Sequence, residues 1–228
     1  IEFQNLINDP DKPFFNRALQ GRYPPASTIK PAIGMYGLSN NIVSWDFVMD
    51  DPGFFTLPET GRIFRGWRKG GHGKVDMHKA FLVSSNTYFL SLAYQADILK
   101  LSNHFSSIGF GQKVCLDCFD EDKAFVPTPE WKYSMMNVGW VKGDTVNLGI
   151  GQGYLVTTPM QLANYASLLA TKGEFAEPSL AIMDNQKKSF KTWQDDGFDD
   201  SDWTKMHAAL LDVIESDYGT ARSIRDLK

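Results

Sequence analysis

The sequence predicts a mainly helical α+β chain with one weak sheet edge. Three observations predict it: several windows carry apolar residues at helical spacing, helix caps are well marked, and strand-like sequence is scarce. The first 25 residues are polar and irregular, broken at Asn8-Asp9-Pro10, Lys12-Pro13 and Pro24-Pro25. A helix is expected from about Ser27 to Leu38, with Ser27 as N-cap and Pro31 in the first turn, where a missing N–H costs little. Lys30 precedes that proline, which disfavours the helical region for Lys30, a strain compatible with a functional turn. Residues 44–75, rich in Gly, Pro and aromatics, read as a long loop with short strands, parts of 54–65 among them. Over 76–98 the apolar positions Phe81, Leu82, Tyr88, Phe89, Leu92 and Ala93 follow helical spacing. Ser84-Ser85-Asn86 interrupts them, so two helices meeting at a corner are expected. A further helix runs from about Ile98 to Ile108 and stops at Gly109. The clearest helix opens at Thr158-Pro159-Met160-Gln161, a capping box with proline at the first helical position. Leu162, Tyr165, Ala166 and Leu169 are expected to form its buried face, with Gly173 at its end. A short strand is expected at Ser179–Met183, and a last helix from Asp202 to Ser216 capped by Ser201.

A chain of 228 residues builds one sizeable domain or two small ones. Apolar residues at 43% and charged residues at 22% are ordinary for a globular protein. A net charge of −4 supplies no basic field, so nucleic acid is not an expected partner. No run approaches the roughly 18–20 apolar residues of a membrane span. The chain opens on Ile1, which reads as a processed or trimmed product, so missing targeting signals say little about location. Cys115 and Cys118 form a single CxxC, a weak zinc signal and misplaced for a redox pair; two semi-buried thiols or a local disulfide account for it.

A serine hydroxyl needs a base to become a nucleophile at neutral pH. None of His72, His78, His104 and His207 sits in a recognisable Ser-His-Asp context, and there is no GxSxG elbow. Lysine is the alternative. In Ser27-Thr28-Ile29-Lys30 the two side chains stand three residues apart, on one helix face, and an apolar surround would lower the lysine pKa enough for it to accept a proton. Pro24, Pro25, Ile29 and Ile33 would help exclude water, and a helix N-terminus at Ser27 would present N–H groups to an oxyanion. In isolation the plainer account of SxxK is an N-capping serine followed by a solvated lysine. The triplet Ser84-Ser85-Asn86 begins 57 residues after Ser27, and penicilloyl-serine transferases pair SxxK with an SxN triplet on a second helical corner. Ser84 could relay a proton and Asn86 could bond a substrate amide; alone, the triplet is equally a capping turn.

The chain resembles the class B penicillin-binding proteins of the elongation type. The resemblance rests on Asn16-Arg17-Ala18-Leu19-Gln20-Gly21, on Tyr23-Pro24-Pro25-Ala26-Ser27-Thr28-Ile29-Lys30-Pro31, and on Asp51-Pro52-Gly53. It continues in Gly71-His72-Gly73 and in Gly143-Asp144-Thr145 followed by Gly149-Ile150-Gly151-Gln152-Gly153. It implies an α/β (α+β) penicillin-binding protein transpeptidase fold, serine β-lactamase-like, with residues 1–228 a helix-rich domain fragment carrying an incomplete antiparallel sheet. It also implies a D,D-transpeptidase that cross-links peptidoglycan stem peptides through an acyl-serine and is a β-lactam target. Ser27 would be the nucleophile, Lys30 the base, and Ser84 and Asn86 the proton and substrate contacts. Implied partners are stem peptides, β-lactams, a glycosyltransferase of the elongation complex and a rod-shape scaffold protein, at the periplasmic face of the inner membrane. No cofactor is implied by the catalytic residues.

Three departures stand out. The Lys-Thr/Ser-Gly motif is absent, Gly219-Thr220-Ala221 matching a segment upstream of it, and the strands that precede SxxK are also missing. These residues by themselves are therefore expected to be weak or inactive as a catalyst. Many members also carry a zinc site of two Asp, a His and a Cys; the matching positions are Asp51, Gly66, His72 and Ser85, so two of four ligands are gone. Asp51 is then expected to cap a turn and His72 to be a loop residue, with no metal bound. A class D-like β-lactamase or β-lactam sensor, and a non-catalytic binding module of the elongation machinery, are the competing readings; the Gly71-His72-Gly73 loop disfavours a division-type enzyme.

Overall fold

The computed structural model describes residues 2–181 and 190–226. The chain begins with helices α1 (Glu2–Ile7) and α2 (Arg17–Gln20), then a 3-10 turn (Ala26–Ile29) that leads into α3 (Lys30–Ser39). Four short strands follow, β1 (Met49–Asp51), β2 (Phe54–Thr56), β3 (Ile63–Arg65) and β4 (Gly73–Val75). Next come α4 (Met77–Leu82), α5 (Asn86–Gln95), α6 (Ile98–Ser107), α7 (Pro129–Met136), α8 (Lys142–Leu148) and α9 (Pro159–Ala170). Strands β5 (Glu174–Ala176) and β6 (Phe190–Thr192), helix α10 (Asp200–Glu215) and a 3-10 turn (Arg222–Ile224) complete the described chain. All strand pairs are antiparallel: β1 with β4, β2 with β3, and β5 with β6. The helix-rich composition with small antiparallel pairs is as expected.

The described chain divides into two compact units. One comprises residues 25–104, 127–155 and 194–228. Its centre is α3, apolar all round and buried from Lys30 to Leu38, as a core helix must be. Gly34 and Gly37 permit this, because a Cβ at either would strike Phe81 of α4 or Leu92 of α5. Leu57, Phe64, Leu90, Val146 and Ile150 form a cluster joining β3, α5 and α8. Gly149 lies so close to α5 that a Cβ would meet the Phe89 carbonyl.

The other unit comprises residues 1–24, 105–126 and 156–193. Here α9 packs on β5 and α2. The Thr158 and Gln161 capping box is present. The buried face of α9 differs from expectation: it is Gln161, Asn164, Tyr165 and Leu168, and Ala166 is exposed. The reason is polar, since the Gln161 amide donates to the carbonyls of Gln112 (2.7 Å) and Lys123 (2.8 Å) and so turns inward. Cys115 and Cys118 form a local disulfide, and buried Glu121 accepts from the N–H groups of Val114 and Cys115.

Several boundaries move. The irregular N-terminal stretch contains α1 and α2. The last helix begins at Asp200 with Asp199, not Ser201, as N-cap, because the Asp199 carboxylate accepts from both Ser201 and Asp202. Helices α7 and α8 were not expected. Of the strand expected at Ser179–Met183, residues 179–181 are not strand and 182–183 lie outside the described residues.

Candidate active site

The site is built on two backbone corners, each turning on a non-glycine residue in the left-handed region: Ala26 at φ +50° and Ser84 at φ +50°. Sequence reasoning identified neither strain, although strained residues cluster at functional turns. At the first corner the Ala26 N–H donates to the Gly151 carbonyl (3.0 Å). Gly151 itself has φ +65°, and a Cβ there would run into the Ala26 carbonyl. The Gly149-Ile150-Gly151-Gln152-Gly153 run thus has a structural reason: its backbone presses directly on the turn before Ser27.

That contact moves the helix start. Ser27 is not an N-cap; it lies inside the 3-10 turn, and α3 begins only at Lys30, with Ile29 at the cap position. The left-handed Ala26 and its bond to Gly151 tighten residues 26–29, and the Lys30 N–H donates to the Ser27 carbonyl. In a 3-10 turn residues three apart eclipse, so Ser27 and Lys30 share a face more directly than on an α-helix. Lys30 takes helical angles (φ −55°, ψ −39°) in spite of the proline after it.

At the second corner α4 ends and α5 begins, as expected. Ser84 N–H donates to Phe81 O (3.0 Å) and Ser85 N–H to Ala80 O (2.9 Å). Ser85 is the N-cap of α5, its hydroxyl accepting from Tyr88 N–H (3.2 Å). The flanking residues face Lys30. Its Nζ contacts the Ser84 carbonyl (2.8 Å), the Ser84 Oγ (2.9 Å) and the Asn86 Oδ1 (2.8 Å).

Lys30 is 2% exposed and lies 5.6 Å from the Phe89 ring centroid. Burial pushes its pKa from 10.5 down to about 7, against the attraction of the Asp51 charge. As a free amine Nζ has two donors and a lone pair, which suits donation to Ser84 O and Asn86 Oδ1 and acceptance from the Ser84 hydroxyl. Ser27, Lys30, Ser84 and Thr220 line one cavity of 270 Å³, floored by Phe81 and Val213. A second hollow of 570 Å³, lined by Trp67, Asp217, Tyr218 and Arg222, shares Ser84 and Thr220 with it. All four residues expected at the site therefore converge: three through hydrogen bonds and Ser27, exposed, through the common cavity. Such an arrangement can activate a serine, hold an acyl group and shuttle a proton through Ser84. Thr220 was not anticipated; it is brought in by its N–H bond to Leu82 O (3.3 Å).

The residues at the zinc-matching positions do not fit that ion. Gly66 offers no side chain. Ser85 Oγ donates to Asp51 Oδ2 at 2.6 Å, closer than two ligands of one zinc stand, since bonds of about 2.0–2.2 Å at tetrahedral angles separate ligands by more than 3 Å. Asp51 Oδ1 accepts from Gly53 N–H (2.8 Å), the turn cap expected of it. Burial is the largest single effect and works against the Asp51 charge, but the hydrogen bonds its carboxylate accepts, Ser85 first, together with nearby His72 outweigh burial and hold the carboxyl below its ordinary value. His72 lies in a loop, its ring 5.2 Å from Trp67 and its Nδ1 buried without a hydrogen-bond partner.

Comparison with known proteins bears on the site. The chain matches the family described as the penicillin binding protein transpeptidase domain over residues 2–228. It is 42% identical over 230 residues to the peptidoglycan D,D-transpeptidase MrdA of Acinetobacter baumannii, covering 98% of this chain and 34% of that protein. Against MrdA of Escherichia coli K12 it is 36% identical over 181 residues, 79% of this chain and 29% of that one. Its fold resembles Pseudomonas aeruginosa PBP2 in complex with WCK 5153, with a TM-score of 0.89 at 36% identity over 98% of this chain and 51% of that one. A complex between PBP2 and MreC from Helicobacter pylori gives a TM-score of 0.87 at 32% identity over 99% of this chain and 41% of that one. The chain thus spans about a third of the Acinetobacter relative's length.

Proposed function

The chain belongs to the penicillin-binding protein transpeptidase family, and we propose that it carries the acylation site of a peptidoglycan D,D-transpeptidase acting in cell elongation. The observation that carries this reading is Lys30: a buried amine with its pKa near 7, bonded to Ser84 and Asn86 and opening onto the cavity of Ser27. In the proposed reaction the Lys30 amine takes the Ser27 proton as Oγ attacks the penultimate D-Ala carbonyl of a stem peptide. The C–N bond then breaks, and the proton passes through Ser84 to the departing D-Ala amine. An amine of a neighbouring stem takes the acyl group in the reverse sequence. Asn86, as the first residue of α5, orients Lys30 with its Oδ1 and can offer its amide N–H₂ to the substrate chain. A β-lactam enters the same steps, except that its leaving amine stays tethered.

The whole protein is proposed to work at the periplasmic face of the inner membrane. Among the described residues no helix is long and apolar enough to cross a membrane. A rod-shape scaffold partner is supported by the Helicobacter pylori relative's complex with MreC, and an elongation-complex glycosyltransferase is proposed from the family resemblance alone.

Fluorescent penicillin tests the reading. Mass spectrometry of the labelled protein is expected to find one adduct on Ser27, stable for minutes and absent from Ser27→Ala. Rapid turnover with no lasting adduct would make the site a hydrolase, and no acylation of a folded protein would leave only a binding module.

A further inference from the structure

Ser85 lies between the two residues that hold the Lys30 amine, and its side chain faces the other way. We propose that the Asp51–Ser85 hydrogen bond is a metal-free lock that holds the Ser84-Ser85-Asn86 corner, which makes Asp51 and Ser85 positioning residues for the site. The Ser85 side chain is fully buried, and Asp51 is 2% exposed. A single hydroxyl does two jobs there. It donates to Asp51 Oδ2 (2.6 Å) on β1 and accepts from Tyr88 N–H (3.2 Å) in the first turn of α5. Strand β1 is thereby tied to the start of the helix whose first residue is Asn86.

Asp51 is itself fixed on every side. Its Oδ1 accepts from Gly53 N–H, and its carbonyl accepts from His72 N–H (3.0 Å). It pairs with Gly73 in the β1–β4 ladder. Gly71, at φ +69°, passes so close that a Cβ would strike the Asp51 carbonyl. Both carboxylate oxygens thus already accept a hydrogen bond, Oδ1 from Gly53 N–H and Oδ2 from the Ser85 hydroxyl. A slip of Ser85 would carry Ser84 and Asn86 with it, and those two supply three hydrogen bonds of the Lys30 amine. The same polar node that a bound ion would otherwise organise is closed here by one short charge-assisted bond. The buried, unpartnered His72 Nδ1 is the one group that would claim an ion, and it has no thiolate or second carboxylate from Gly66 and Ser85 to complete a set.

The metal half of this proposal stands alone, and the positioning half rests on the acyl-transfer reading. Metal analysis of the protein, purified from zinc-supplemented medium, is expected to find well below one equivalent of zinc. Its melting temperature is expected not to move with a chelator or with added zinc. Stoichiometric zinc, or a melting temperature that falls on chelation, overturns the lock. Single-turnover acylation by fluorescent penicillin then compares Ser85→Ala with Ser85→Thr at a temperature where both are folded. Ser85→Ala is expected to slow the acylation step about tenfold, with the half-saturating penicillin concentration little changed, and Ser85→Thr to restore most of the rate. Equal losses in both variants, or a lower melting temperature in Ser85→Ala at full acylation rate, overturn the positioning role. If the unaltered protein is not acylated, the acyl-transfer reading and the positioning role fall together, while the metal analysis still decides the lock.

Discussion

An amine taken out of water without a carboxylate in contact costs several kcal/mol as a cation, and Lys30 meets that cost by yielding its proton. Burial is the larger effect and the more distant Asp51 charge the smaller, which leaves the pKa at about 7 rather than 10.5. Acylation is therefore expected to rise with pH through about 7 and then level, as the free amine becomes the majority form; stopped-flow labelling across pH 5–9 checks this. For stability the sign is separate. Between pH 7 and 10.5 the unfolded chain holds a proton at Lys30 that the folded chain lacks, so this group's contribution to stability rises across that window. Lys30→Ala is expected to cut the acylation rate on the order of 10²–10⁴-fold while leaving the protein folded, measured by single-turnover labelling. The pairing of Ser27 and Lys30 was legible in the sequence because it depends on spacing alone. The lowered pKa was not, because it depends on what surrounds the amine: Phe89 and the Ser84-Ser85-Asn86 corner arrive from residues more than fifty positions away.

Among the elements, the corners matter more than the helices. Gly151→Ala is expected to place a Cβ against the Ala26 carbonyl and to strain a residue at φ +65°. The cost is expected to be about 1–3 kcal/mol in stability, with acylation falling further than the melting temperature explains, as calorimetry and labelling together would show. Installing ligands is the reverse test of the β1–α5 tie: the Gly66→Asp, Ser85→Cys double variant is expected to gain about one equivalent of zinc and chelator-sensitive melting. Of the three N-caps read from the sequence, Thr158 holds, while Ser27 and Ser201 do not. Thr158-Pro159 with Gln161 was identified correctly because a capping box is local. Thr128-Pro129 carries the same opening signal, with the Thr128 hydroxyl accepting from Trp131 N–H, and it was passed over. Helix α7 lacks the apolar stripe that would have drawn attention, since Tyr133, Met135 and Met136 are exposed. The face of α9 was misassigned for the opposite reason: hydrophobicity pointed to Leu162 and Ala166, whereas Gln161 turned inward to bond two loop carbonyls.

Across the whole molecule, stability in acid has an identifiable contributor. His104 is buried, with its Nε2 donating to the Ala32 carbonyl at 2.9 Å, and burial lowers its pKa from 6.5 to about 4. As pH falls from 6.5 toward 4 the unfolded chain takes up a proton there and the folded chain does not, so stability falls over that window. His104→Gln is expected to flatten that fall in a melting-temperature series, whatever its effect at pH 7. The family was legible because its signatures are contiguous: Ser27-Thr28-Ile29-Lys30, Gly71-His72-Gly73, and the glycine run ending at Gly153. Each is a local requirement of spacing, turn or close approach, and such requirements are written residue by residue. By itself, then, the sequence determined the helix-rich α+β class, the Thr158 capping box, the two-helix corner and the four residues that the structure gathers around one cavity. Tertiary structure alone decided where the helix after Ser27 begins, why Gly151 must be glycine, and what became of Asp51. Those outcomes depend on long-range contacts, Ala26 with Gly151 and Asp51 with Ser85, whose partners are set only when distant segments pack.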